Sequence, residues 1–192
     1  MTASPNSEAD PEWGRLRRWL EEAYGSSDPS RVLAFEQKAL RRPGWRFFYG
    51  ALNVPSHGGS YAVAVHEGQV LQGEPGLAEF VRDQDIHDHP GAVRVEELAA
   101  IAMFFLSRFG AGDAMLITDP EKERKSFPRR VGRLLHAPRL AAEGDDLVFQ
   151  FWYLQRMLVR VTLHIRPGNV LECEEANAID LLESRDRSSE DE

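Results

Sequence analysis

The alternation of apolar and polar residues between Arg139 and Glu174 constrains the fold more than any other feature of the sequence. From Met157 to Ile165 every odd position is apolar, whereas Arg160, Thr162 and His164 are among the even positions. A period of two, with one apolar and one polar face, is typical of a half-buried β-strand. Because the alternation continues on both sides of this segment, the stretch predicts a series of antiparallel strands.

The loop between the last two of these strands determines how they pair. A two-residue loop would place Leu163 opposite Glu172, which puts a core side chain on the same face as a carboxylate. A three-residue loop, Pro167–Asn169, places Leu163 opposite Cys173 and His164 opposite Glu172. Because a one-residue slip moves every side chain to the other face, only the three-residue loop keeps both strands two-faced. We therefore predict this register, with Cys173 pointing into the core.

A tight turn at Glu143–Asp146 adds Arg139–Ala142 as a further strand, which completes a four-stranded antiparallel meander. Its polar face is a candidate surface for binding a partner, because tryptophan and arginine are enriched in interface hot spots. A tryptophan on a mostly polar face also requires something to cover it. The alternatives are a solvated face and burial beneath the N-terminal helices. The residues of this face are Gln150, Trp152, Arg160, Thr162, His164, Glu172 and Glu174.

Two helices are predicted at the N-terminus. Asp10-Pro11 and Asp28-Pro29 each place a side-chain acceptor at the N-cap and a proline at the first helical position. The short link Ser26-Ser27 between them favours a helical hairpin. Further along, Val95–Phe109 is apolar nearly all round, which predicts a buried helix.

These elements predict an α+β fold. We expect the helical hairpin and the central helix to pack on a mainly antiparallel sheet that ends in the C-terminal meander. A chain of 192 residues is long enough for one domain, which buries about 70% of the surface of the unfolded chain. We expect a single domain over residues 10–183. Residues 1–9 and the acidic tail 184–192 are polar enough to be disordered.

The charge balance restricts the class of partner. Subtracting 31 acidic from 23 basic residues leaves a net charge of −8, which disfavours nucleic acid and anionic membranes and permits a basic protein partner. Eight acidic residues lie in Glu67–Glu97 against only Arg82 and Arg94. Conversely, Lys122–Arg139 contains seven basic residues. The first part of this stretch, Lys122–Arg133, looks like a basic surface loop. The acidic stretch is a candidate for steering a basic partner.

A possible metal site lies at the end of the acidic stretch. In an extended conformation Asp83, Asp85, His87 and His89 would project from one side and offer oxygen and nitrogen ligands to a transition metal. One short segment seldom supplies converging ligands with their own supporting contacts. The alternative is a solvated connecting loop, and we expect no tightly bound metal and no cofactor.

A second candidate for catalysis is the glycine-rich connection Ser56–Ser60, which contains His57 between two predicted strands. Its hydroxyl and imidazole groups could serve a small hydrolase, and its backbone could approach an anion. The chain has no Gly-x-Ser-x-Gly elbow and no Gly-x-x-x-x-Gly-Lys motif, however. A flexible connection is the alternative.

The remaining features favour a cytoplasmic protein. Cys173 is the single cysteine, which excludes an intramolecular disulfide and any Cys-x-x-Cys motif. Residues 1–10 lack the character of a signal peptide, and no apolar stretch approaches the ~20 residues of a membrane span. We therefore expect a non-catalytic protein-binding module, such as an inhibitor, an adaptor or an immunity-like protein. A small hydrolase that uses the Asp83–His89 cluster or the Ser56–Ser60 loop is the alternative.

Overall fold

The computed structural model confirms the α+β class, with helices and two antiparallel sheets. It describes residues 11–24, 32–52, 59–107 and 114–181. The chain divides into two compact units, which are the described parts of 1–77 with 104–113 and of 78–103 with 114–192. A single domain over residues 10–183, with disordered ends, stays a prediction. Among the described residues, no helix has both the length and the apolar character needed to cross a membrane.

The first unit contains helix α1 (Pro11–Tyr24) and a four-stranded antiparallel sheet. Its strands, in spatial order, are β1 (Val32–Glu36), β2 (Trp45–Leu52), β3 (Gly59–His66) and β4 (Gln69–Leu71). The apolar stripe of α1 places Leu16 and Leu20 in a fully buried cluster with Phe48 of β2 and Val63 and Val65 of β3. The first predicted helix is therefore confirmed.

The second helix of the predicted hairpin is wrong, because residues 32–36 form strand β1, followed by a short 3₁₀ turn at Lys38–Leu40. Strand β1 pairs antiparallel with β2, with Phe35 opposite Tyr49. The four apolar residues of Val-Leu-Ala-Phe-Glu fit a strand as well as a short helix, and pairing with β2 decides between them. The Asp28-Pro29 capping signal lies outside the described residues.

Two helices follow β4, α2 (Gly73–Asp83) and α3 (Val95–Leu106). Helix α3 has the predicted buried character, and its last turn contributes Phe104 and Phe105 to an aromatic cluster. The ring centroid of Phe47 in β2 lies 5.2 Å from that of Phe104 and 6.0 Å from that of Phe105. These contacts fix the end of α3 on the first sheet.

The second unit contains the predicted meander within a five-stranded sheet. Its strands are β5 (Met115–Leu116), β6 (Arg139–Glu143), β7 (Asp146–Leu154), β8 (Leu158–Arg166) and β9 (Val170–Asn177). The order is β5-β7-β8-β9, and β6 pairs with a different part of β7. The expected basic loop at Lys122–Arg133 is instead partly helical, with α4 (Pro120–Glu123) and α5 (Arg129–Gly132).

The predicted register of the last hairpin is confirmed. Leu163 lies opposite Cys173, and His164 lies opposite Glu172. The connecting loop has three residues, of which Gly168 and Asn169 have φ angles of 78° and 59°. The odd-numbered face of β7 and β8 is the apolar one, and the fully buried residues there are Phe149, Phe151, Val161, Leu163 and Ile165.

Candidate partner-binding face of the meander

Trp152 does not lie on the surface as the prediction of a binding anchor required. The side chain is 1% exposed and belongs to an apolar cluster with Ile117, Leu135, Leu158 and Ala178. Ile117 and Leu135 precede the meander in the sequence and Ala178 follows its last strand, so the chain itself covers this part of the polar face. Trp152 cannot serve a partner as an exposed anchor, and that part of the prediction is corrected.

Three of the predicted site residues lie in one row across the sheet. Gln150, Thr162 and Glu174 occupy adjacent positions on β7, β8 and β9, and Arg139 of β6 extends the row. Nε and Nη2 of Arg139 donate to Oε1 of Gln150, at 3.1 and 2.6 Å. Nε2 of Gln150 donates to Oγ1 of Thr162 at 3.4 Å. Arg139, Gln150 and Thr162 therefore hydrogen-bond to one another. Thr162 is also only 5% exposed.

The acidic end of the face is open. Glu172 is exposed, and its carboxylate accepts a hydrogen bond from Arg166 rather than from His164 on the opposite strand. Glu174 is also exposed and makes no ion pair within the described part of the chain. Of the predicted residues, these two are the ones that a partner can reach directly.

Strand β9 adds a feature that the side chains alone did not reveal. It is the last strand in the order of its sheet and, among the described residues, it pairs only with β8. Its outer edge therefore has backbone N–H and C=O groups that the sheet does not use. Val170 is 56% exposed, and Glu175 is exposed on the opposite face from Glu174. The predicted meander already implied this edge, because the last strand of a meander has only one neighbour.

The four candidate metal ligands do not converge. Asp83 ends α2 and accepts a hydrogen bond from Gln84, at 2.7 Å. Asp85 has a positive φ of 49°, which breaks the extended conformation on which the metal hypothesis depended. Asp85 and His89 contact each other, with Nδ1 of His89 at 2.8 Å from Oδ2 of Asp85. Within the described ranges, no three His, Cys, Asp or Glu residues are grouped as a metal site requires.

These residues instead hold the segment after α2 against two turns of the meander. The buried side chain of Asn169 donates to Asp85 at 2.7 Å and accepts from the backbone N–H of His87 at 2.8 Å. The two ring nitrogens of His87 lie 2.8 Å from the Asp88 carboxylate and 2.8 Å from the Asp145 carbonyl. Because both of these partners are acceptors, only the imidazolium form of His87 satisfies both contacts.

The contacts of Asp85, His87 and Asn169 form a polar clamp. The stability that this clamp contributes should fall at both low and high pH. The hydrogen bond from Asn169, followed by that from His89, lowers the pKa of Asp85 below 3.8. The carbonyl of Asp145 and the carboxylate of Asp88 raise the pKa of His87 above 6.5. The contribution of Asp85 is present above pH 3.8 and is lost as the pH falls through its folded value. The contribution of His87 is complete below pH 6.5 and is lost as the pH rises through its folded value.

We therefore expect NMR titration to place the Asp85 carboxyl below, and the His87 ring above, these ordinary values. The variant Asn169→Gly removes the clamping amide, and glycine tolerates the φ of 59° at this position without strain. In this variant the pKa of Asp85 should move back towards 3.8. An unshifted Asp85 in the wild-type protein would show that the clamp does not form.

The Ser56–Ser60 connection and the acidic stretch Glu67–Glu97 were the other candidates for a functional site. Ser56 and His57 lie outside the described residues, and Ser60 is in β3, where it pairs with Ala51. In the acidic stretch, both arginines are used locally: Arg82 pairs with Glu79, and Arg94 pairs with Glu97.

The geometry thus leaves a polar face whose tryptophan is buried and whose acidic edge is open. No protein-family model matches the chain, and neither does any curated protein or solved structure.

Proposed function

We propose that the protein is a non-catalytic protein-binding module that receives a basic strand of its partner along β9. The observation that carries this proposal is an eight-residue edge strand with exposed glutamates at positions 172, 174 and 175. An extended peptide can add to such an edge through main-chain hydrogen bonds, while its side chains give specificity. The edge supplies the backbone groups and the glutamates supply the charge.

Charge complementarity supports a basic partner. The glutamates of β9 lie on both faces of the sheet, so alternating basic side chains of an added strand would find a carboxylate on either side. The net charge of −8 acts in the same direction at longer range, because complementary charge raises association rates and specificity. An immunity-like inhibitor of a basic protein, located in the cytoplasm, is the specific form of this proposal.

A charge-reversal experiment tests the proposal. The probe is a peptide of alternating valine and lysine, equal in length to β9, and a valine–glutamate peptide serves as the control ligand. We expect the lysine peptide to bind and the glutamate peptide not to bind. Glu174→Lys should weaken binding about 5- to 10-fold at low salt, because an exposed ion pair is replaced by a like-charge contact.

The matched control is Glu143→Lys. Glu143 is an exposed glutamate in β6 of the same sheet, so its reversal changes the net charge equally without altering β9. This variant should bind the lysine peptide nearly as well as wild type does. Equal losses in both variants would indicate attraction by net charge alone and would refute binding along β9.

A further inference from the structure

Arg160 is half-buried in the middle of β8, with no counter-charge among the residues that the structure describes. It lies between Trp152 of β7 and Ala176 of β9 in the register of the sheet. Its guanidinium makes no hydrogen bond or ion pair with any residue that the structure describes, and its Nε is closed to solvent. Partial burial of an unpaired cation is unfavourable, so an arginine held in this way points to an absent acceptor.

A second unused donor lies directly opposite. Trp152 is 1% exposed, and its indole Nε1 finds no acceptor among the described residues. A buried indole N–H usually has a partner, and leaving it unpaired is unfavourable. Two buried donors on neighbouring strands, Trp152 Nε1 and Arg160 Nε, therefore lack a hydrogen-bond acceptor within the described part of the chain.

The surroundings of the two donors are also electropositive. The ring of His136 meets that of Trp152 edge to face, with centroids 6.1 Å apart. Nδ1 of His136 donates to the Ala137 carbonyl at 2.8 Å. Burial lowers the pKa of His136, and the charges of Arg139 and Arg160 lower it further, against that hydrogen bond, which raises it. The two guanidinium groups are thus close enough to His136 to affect its titration.

We infer that Arg160, Arg139 and the indole N–H of Trp152 form a binding site for a small oxyanion of the phosphate or carboxylate type. A guanidinium presents N–H groups in a fork that matches the oxygens of both anions. Arg139 is exposed and bonded to Gln150, which lies two residues from Trp152 on β7, so its guanidinium can contribute to the site from the surface. This site is independent of strand addition at β9.

The test follows the indole resonances of the four tryptophans in the full-length protein during titration with inorganic phosphate or with acetate. Chloride keeps the ionic strength constant, and Trp152→Phe assigns the Trp152 resonance. We expect that resonance to shift saturably with at least one of the two anions, while the other indoles change little. A response to phosphate alone or to acetate alone identifies the class of ligand, and a response to both supports a general oxyanion site.

Arg160→Gln should weaken the response at least about 10-fold, because a charge-assisted hydrogen bond contributes about 1.5–3 kcal/mol. The matched control is Arg133→Gln, which removes an exposed arginine of the same unit and should leave the titration unchanged. If Arg160→Gln does not fold, Arg139→Gln takes its place, with the same expected loss. The proposed site would be refuted if the Trp152 resonance showed no saturable shift. It would also be refuted if Arg133→Gln gave the same titration as Arg160→Gln, or as Arg139→Gln where that variant takes its place.

Discussion

Replacing Phe47 with alanine should lower the free energy of unfolding by about 3–5 kcal/mol, which is the usual cost of removing a buried phenylalanine. Phe47 is fully buried in β2, and its ring contacts those of Trp45, Phe104 and Phe105. The variant would leave a cavity between the first sheet and the last turn of α3, because these aromatic rings cannot all relax into the space. Urea unfolding of the variant and of the wild-type protein measures the difference.

Phe35→Ala is the matched control for this prediction. Phe35 lies on the neighbouring strand β1 but is 49% exposed, so its truncation should change the free energy of unfolding by no more than about 0.5 kcal/mol. A loss below about 1 kcal/mol for Phe47→Ala would mean that the aromatic cluster does not form as described.

Gly76→Ala should destabilise the protein by about 1–3 kcal/mol, although alanine is the better helix former. Gly76 is buried in α2, and a Cβ atom there would lie 2.5 Å from Cε1 of Phe105 and 3.3 Å from the backbone carbon of Leu71. The ring of Phe105 cannot move away easily, because it packs against Trp45, Phe47 and Phe104. The steric cost therefore exceeds the gain in helix propensity.

Urea unfolding should give the opposite result for Gly14→Ala. Gly14 lies within α1, and a Cβ atom there would meet nothing within 4 Å. This substitution should stabilise the protein by about 0.5–1 kcal/mol, because alanine loses less backbone entropy in a helix than glycine does and meets no steric clash here. If both alanine variants were stabilising, the close packing of α2 against Phe105 would be wrong.

The register of the last hairpin could be predicted from the sequence because it depends only on two adjacent strands and the loop that joins them. The parity of His164 and Cys173 on two adjacent strands leaves one loop length compatible with two-faced strands, and the structure has that loop. The central helix was also predictable, since its composition requires burial wherever it packs.

Two predictions failed because they depended on residues distant in the sequence. Val32–Glu36 satisfies its backbone groups by pairing with β2, and the local capping signal that favoured a helix cannot anticipate that partner. Trp152 is buried by Leu135 and Ala178, which lie outside its strand and cover it only once the chain has folded. Periodicity assigns a side chain to one face of a sheet, but other elements decide whether that face is exposed.

The central claim is that a partner strand pairs with the outer edge of β9. Residue-resolved amide hydrogen exchange, measured with and without the valine–lysine peptide, tests this claim most directly. We expect the peptide to slow exchange at alternate amides within Val170–Asn177, because every second N–H group of a strand points to its outer edge and strand addition hydrogen-bonds these groups. The amides of β6 should not change. Binding without protection in β9, or with protection in β6 instead, would contradict the account.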